Sequence, residues 1–142
     1  MNAAVDHAYE SNNLVTIGIK PSRPDSGYGY IQFHRENDYG NDHLKKVKTF
    51  TEKPSVELAL QFLKSGDFYW NSGMFLFRAS RYLDELKAHQ PQILSACEAA
   101  TSAVSLDLDF VRVDGEAFDS CPSDSVDYAV MEKTNEAVVM PL

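Results

Sequence analysis

The hydrophobic pattern changes period at Pro54, and this change constrains the fold more than any other feature of the chain. Beyond it, Val56, Ala59, Leu60 and Leu63 recur at helical spacing, with Ser55 placed to cap the helix and Gly66 to stop it. Ahead of it the runs are short and rich in β-branched and aromatic residues. Leu14-Val15-Thr16-Ile17-Gly18-Ile19, ended by Lys20-Pro21, reads as a buried strand. Residues Pro21 to Gly29 read as a loop, and Tyr28 to His34 as a second strand. The polar stretch Glu36–Lys46 carries turn chemistry in Asn37-Asp38 and Gly40-Asn41-Asp42, so it returns the chain to a strand at Val47–Thr51. The segment Phe50-Thr51-Glu52-Lys53-Pro54 is therefore a strand-to-helix junction that carries an acid and a base.

Strands and helices keep mixing after that junction. Met74 to Phe77 reads as a short apolar strand. Ser80 is positioned to cap a helix carrying Leu83 and Leu86, which ends by His89 because Pro91 cannot continue it. Pro91 suits the first position of the next helix, with Ile93, Leu94, Cys97, Ala100 and Val104 on one face. Leu106 to Ser120 is expected to be an acidic helix, Val126 to Glu132 a helical turn or two, and Ala137 to Met140 a closing strand. The mixture places the chain in the α/β class, and 142 residues is a one-domain length.

Charge and composition exclude several functions. A net charge of -8 argues against a nucleic-acid partner, which calls for a basic surface. No apolar run approaches the roughly 20 residues that span a bilayer, so no membrane partner is expected. Met1 to Asn13 is polar and lacks a signal-peptide pattern. Cys97 and Cys121 are isolated in the sequence and read as reduced thiols, which fits a cytoplasmic protein.

The chemistry-bearing residues cluster in two places. In Glu52-Lys53-Pro54 the lysine ammonium suits a phosphate oxygen, and the adjacent carboxylate can accept sugar hydroxyls. Both stand at a strand's C-terminal end, where open α/β sheets bind ligands. They also fit solvated charges at a strand end. In Trp70-Asn71-Ser72-Gly73 the Asn71 amide can both donate to and accept from a hydroxyl, or satisfy a local turn. The glycines of Gly27-Tyr28-Gly29 allow close backbone approach to a ligand, or simply a tight loop. The four histidines, His7, His34, His43 and His89, show no metal-ligand spacing. No GxSxG elbow or GxxxxGK[ST] loop is present. The acidic residues from Asp107 onward read as solvated surface, except Asp127, which sits in an apolar turn and is a ligand candidate.

Six segments, in order, carry a resemblance: Leu14–Ile19; Pro21-Ser22-Arg23-Pro24-Asp25-Ser26-Gly27-Tyr28-Gly29-Tyr30-Ile31; Phe50–Pro54; Trp70-Asn71-Ser72-Gly73-Met74-Phe75-Leu76-Phe77; Cys121-Pro122-Ser123; and Asp127-Tyr128-Ala129-Val130-Met131-Glu132-Lys133-Thr134. In this order they resemble the mannose-1-phosphate guanylyltransferase family, closest to the bacterial form often fused to mannose-6-phosphate isomerase. The resemblance covers nearly the whole chain. It implies a nucleotidyltransferase α/β fold with a Rossmann-like mixed sheet. The implied reaction transfers GMP from GTP to mannose 1-phosphate with Mg²⁺, giving GDP-mannose and pyrophosphate. It also implies that Glu52 holds mannose hydroxyls and Lys53 the sugar phosphate, with the Gly29 backbone and Asn71 completing the sugar pocket.

The family's glycine-rich triphosphate loop and its two metal carboxylates have no counterpart in these 142 residues. The expectation is a single partial domain over residues 1–142, lacking the glycine-rich-loop half. It is expected to be inactive alone, to bind no Mg²⁺ specifically and to hold mannose 1-phosphate weakly at best. The alternative is a non-catalytic sugar-phosphate-binding or oligomerising module. A sheet cut from a larger domain leaves an open edge and an apolar face, so a homo-oligomer is expected.

Overall fold

The computed structural model describes residues 2–36 and 44–142. Helix α1 (Asn2–Ser11) precedes β1 (Leu14–Ile19), and β2 (Tyr30–Phe33) precedes β3 (Lys45–Thr51). Helix α2 (Val56–Ser65), β4 (Phe68–Leu76), α3 (Ala79–His89) and α4 (Pro91–Ser102) follow. The chain then forms β5 (Ser105–Asp107), β6 (Phe110–Arg112), α5 (Gly115–Asp119), one π-helical turn (Asp127–Met131) and β7 (Ala137–Pro141).

Five strands form one mixed sheet in the order β1-β4-β2-β3-β7. Its one parallel pairing joins β1 to β7, with Val15 opposite Val138 and Ile17 opposite Met140. These two strands are covered on both faces, which is why both read as unbroken apolar runs in the sequence. On one side Ala4 and Ala8 of α1 pack on Val15, Ile17, Val138 and Met140. Leu14 packs with Leu86, Ala129 and Val130, while Val139 packs with Ile31, Phe50 and Met131.

The expected open edge is not found among these strands. Lys45 and Lys46 of β3 pair with Val139 and Val138 of β7, and the sheet closes into a ring. The apolar exposure lies elsewhere, on the separate β5–β6 hairpin, where Leu106, Leu108, Phe110 and Val111 all face solvent.

The strand-to-helix junction forms as the sequence dictates. Ser55 Oγ accepts from Leu58 N, and α2 ends at Gly66, whose φ of 75° is in the left-handed region. Ser55→Ala removes that acceptor and is expected to lower stability by about 1 kcal/mol in urea denaturation.

Five expectations need correction. Asn2–Ser11, read only as polar, is a helix whose buried stripe consists of small alanines. Strand β4 begins at Phe68 instead of Met74, because its first half pairs with β2. Arg78, and not Ser80, occupies the N-cap of α3. Helix α4 ends at Ser102, leaving Val104 outside it. The segment 106–120 is a hairpin followed by a short helix, because it turns at Leu108 with φ 52°. The turns expected at Asn37-Asp38 and Gly40-Asn41-Asp42 lie outside the described residues.

Candidate functional site

Strand β2 lies between β3 and β4, and its first residue sets the site. Tyr30 is opposite Thr51 on one side and Trp70 on the other. One position further along each chain stand Gly29, Glu52 and Asn71, so three segments distant in sequence converge at one end of the sheet. The Asn71 N–H donates to the Gly29 carbonyl (2.7 Å) and fixes their separation. A Cβ at Gly29 would overlap Glu52 Oε2 and stand 3.2 Å from Asn71 Cβ. Glycine is what allows the carboxylate to lie over the loop.

The acid and base of the junction are paired. Lys53 Nζ donates to Glu52 Oε1 at 2.7 Å, with the lysine side chain 60% exposed and the glutamate side chain only 9%. The pairing raises the Lys53 ammonium above its ordinary pKa, through the Glu52 hydrogen bond first and its charge second. Lys53 has φ 46°, a conformation that costs a non-glycine residue of order 1 kcal/mol. The preceding residue is anchored: Glu52 N donates to Glu132 Oε1 at 2.9 Å.

Asp127 enters from the π-helical turn. Ala129, Val130 and Met131 of that turn are buried, and the wide turn closes with Glu132 N donating to the Asp127 carbonyl at 2.9 Å. The same turn thus supplies Asp127 through its first residue and the Glu52 anchor through the residue after its last. Asn71 Nδ2 donates to Asp127 Oδ1 at 3.0 Å. Asn71 Oδ1 accepts from Gly73 N (3.0 Å) and the buried Thr16 hydroxyl (3.4 Å). Every polar atom of the Asn71 amide therefore has a partner, and its orientation is fixed.

All five sequence candidates, Gly29, Glu52, Lys53, Asn71 and Asp127, line one cavity of about 500 Å³. Tyr28 and Trp70 form another wall, their rings 5.0 Å apart, and the Arg23 guanidinium lies 5.3 Å from the Trp70 ring centre. Sequence reasoning missed Glu132 and Thr16 as supports. Both lie in segments that carry the resemblance, but only the fold brings Glu132 to Glu52 across 80 positions.

Burial, and then the Glu52 charge, push the Asp127 carboxyl above the usual aspartate value. A carboxyl whose folded pKa is raised costs stability once ionised. The cost sets in above the unfolded value and is complete above the folded one. Asp127→Asn is therefore expected to raise the melting temperature at pH 7, and the gain should vanish at acid pH. A melting temperature unchanged or lowered at pH 7 contradicts the shift.

The cavity is poorly suited to a divalent ion. Among the described residues no group of three or more His, Cys, Asp or Glu side chains is placed to hold a metal. Glu52 is taken by Lys53 and Asp127 by Asn71. This donor set does not fit a divalent cation.

Comparison with known proteins decides the family. The family described as Nucleotidyl transferase matches residues 1–116. The chain belongs to the nucleotidyl transferase family. This nucleotidyl transferase chain is 55% identical over 134 residues to a mannose-1-phosphate guanylyltransferase of Escherichia coli strain K12, covering 94% of this chain and 28% of that protein. It is 53% identical to the xanthan biosynthesis protein XanB of Xanthomonas campestris pv. campestris strain B100, covering 95% of this chain and 28% of that protein. The nucleotidyl transferase chain thus spans between a quarter and a third of the length of these relatives.

Solved structures agree on the fold. A mannose-6-phosphate isomerase from Helicobacter pylori superposes with a TM-score of 0.84 at 36% identity, covering 99% of this chain and 54% of that one. A protein from Thermus thermophilus, titled a mannose-1-phosphate geranyltransferase, gives 0.81 at 28% identity, covering 99% and 38%. The mixed α/β fold expected for this nucleotidyl transferase is the one these structures share.

Proposed function

We propose that this chain is the sugar-phosphate-binding part of a mannose-1-phosphate guanylyltransferase, and that its cavity holds mannose 1-phosphate. The observation that carries the reading is the Glu52–Lys53 pair, set against Asn71, Asp127 and the close-packed Gly29 in one cavity. Lys53 turns its exposed ammonium to the phosphate. Glu52 accepts sugar hydroxyls, and the Gly29 backbone with Asn71 fixes the ring. Asp127, already hydrogen-bonded to Asn71, offers its remaining oxygen to a further hydroxyl.

In the whole enzyme the bound sugar phosphate attacks the α-phosphorus of GTP in line, so these residues contribute positioning. The divalent metal of that reaction is proposed to be held by residues other than those described in this cavity. A GTP-dependent biosynthetic role fits a cytoplasmic protein. Among the described residues no helix is long and apolar enough to cross a membrane.

Calorimetric titration with mannose 1-phosphate, mannose and inorganic phosphate tests the reading. Mannose 1-phosphate is expected to bind more tightly than either fragment. Equal binding of all three, or none, overturns it. The chain alone is expected to form no GDP-mannose, and Mg²⁺-dependent pyrophosphate release from GTP would overturn that part.

Self-association is favoured by the β5–β6 hairpin. Leu106 is 82% and Leu108 93% exposed, and an isolated two-stranded hairpin has little stability of its own. A second copy of this chain is expected to cover it, giving a concentration-dependent mass in light scattering. A monomer throughout contradicts this.

A further inference from the structure

We propose that Glu132 is a positioning residue of the cavity, whose carboxylate holds the Glu52–Lys53 junction in the conformation that meets the ligand. The inference rests on the mannose 1-phosphate reading above, and gives a part in it to a side chain that does not line the cavity. Glu132 Oε1 accepts from Glu52 N at 2.9 Å. This bond joins the end of β3 to the end of the π-helical turn.

The junction is a place where such a hold matters. Strand β3 pairs with β2 as far as Thr51, opposite Tyr30, and α2 takes its cap from Ser55. Between these two fixed points Lys53 has φ 46°, in the left-handed region, and its side chain is exposed. A non-glycine residue keeps that conformation only where its surroundings impose it. Glu52 is placed closely as well, since its Oε2 lies where a Cβ on Gly29 would stand. A junction that relaxed would carry the Glu52 carboxylate off the Gly29 loop, and Lys53 with it.

The other end of the bond is firmly based. Glu132 N donates to the Asp127 carbonyl, and both Lys133 N and Thr134 N donate to the Val130 carbonyl at 2.9 Å. Ala129, Val130 and Met131, just ahead of Glu132, are buried. One turn thus grips both sides of the site. It holds Asn71 through the Asp127 carboxylate and Glu52 through the Glu132 carboxylate. Widened helical turns of this kind are rare and recur at functional sites.

What Glu132 supplies is an acceptor oxygen and not its charge. As a charge it disfavours an anionic ligand, adding a third carboxylate to those of Glu52 and Asp127. As an acceptor it fixes a backbone N–H. The two contributions have opposite signs, so substitution separates them. Glutamine keeps the acceptor and loses the charge. Aspartate keeps the charge but is one methylene shorter, and draws its oxygens back from Glu52 N. Alanine loses both.

The test titrates mannose 1-phosphate into the wild-type chain and into Glu132→Gln, Glu132→Asp and Glu132→Ala by calorimetry, and follows hydrogen exchange of the Glu52 amide by NMR. Glu132→Gln is expected to bind at least as tightly as wild type, with the Glu52 amide equally protected. Glu132→Asp and Glu132→Ala are expected to bind about 10-fold more weakly, with faster exchange at Glu52. Wild-type affinity in the aspartate and alanine variants overturns the proposal. So does a glutamine variant as weak as alanine, or exchange at Glu52 that is the same in all four proteins. A wild-type chain that binds no mannose 1-phosphate brings down the reading of the cavity and this inference with it. Wild-type binding that the variants leave unmoved brings down this inference alone. Glutamine and aspartate decide the matter even where Glu132→Ala fails to fold.

Discussion

Lys53→Ala is expected to weaken mannose 1-phosphate binding by about 10- to 100-fold, the worth of a charge-assisted hydrogen bond to a phosphate. Lys53 is the exposed partner of a pair whose acid is nearly buried, so its ammonium is free to turn outward while Glu52 stays in place. Glu52 keeps its position through backbone contacts that Lys53 does not make, chiefly the hydrogen bond to Glu132. Alanine at position 53 therefore removes charge from the cavity without emptying it. The affinity for free mannose, which has no phosphate, is expected to change little. Lys53→Arg should retain part of the phosphate affinity, because it keeps the charge and alters the geometry. Calorimetry on the three proteins checks the pattern. An equal loss for mannose and mannose 1-phosphate would mean that the substitution had damaged the cavity, and no loss for either would remove Lys53 from the site.

Gly18→Ala is expected to destabilise the fold by about 3 kcal/mol and to lower the melting temperature by about 10 °C. A Cβ at Gly18 would stand 2.7 Å from both Tyr69 Cβ and Val139 Cγ2. Tyr69 belongs to β4 and Val139 to β7, the two neighbours of β1 in the sheet. A Cβ is fixed to its backbone and cannot rotate aside, so one of three paired strands must shift. The register of β1 against β4 already slips between Thr16 and Gly18, which leaves this position little slack. Gly115→Ala is the control. Nothing lies within 4 Å of a Cβ there, and the change should stay within about 0.5 kcal/mol. Wild-type stability for Gly18→Ala would contradict the close packing of β1 between its neighbours.

Helix α2 was legible because its signals are local: Ser55, Gly66 and the apolar spacing between them act within one segment. Strands β1 and β7 were legible for a different reason, since burial on both faces leaves an unbroken apolar run. The β5–β6 hairpin was not read as one, although Leu106, Leu108 and Phe110 alternate with polar residues at a strand's period. The acidic composition masks that alternation, and no glycine or proline marks the turn, which Leu108 makes with a positive φ. Helix α1 is hard to read from sequence because, among its described side chains, the buried stripe is made of the alanines at positions 4 and 8, too small a signal beside its polar surface.

The site divides in the same way. Its residue types at positions 52, 53 and 71 were readable as phosphate- and hydroxyl-binding groups, but their convergence depends on β2 lying between β3 and β4. The sheet edge was misjudged for a related reason. Its closure rests on two residue pairs between β3 and β7, strands distant in sequence.

The parallel pairing of β1 with β7 also sets a schedule for the chain as it leaves the ribosome. Leu14 and its neighbours emerge before their pairing partners Ala137 to Pro141, which lie more than a hundred residues further along. At synthesis rates of about 5–20 residues per second, β1 waits roughly ten seconds for the strand that completes its core. During that interval its apolar face depends on α1 and β4 for cover. Contacts of such long sequence separation also slow refolding of the finished chain. A nascent-chain experiment should find the sheet protected from protease only once β7 has cleared the exit tunnel.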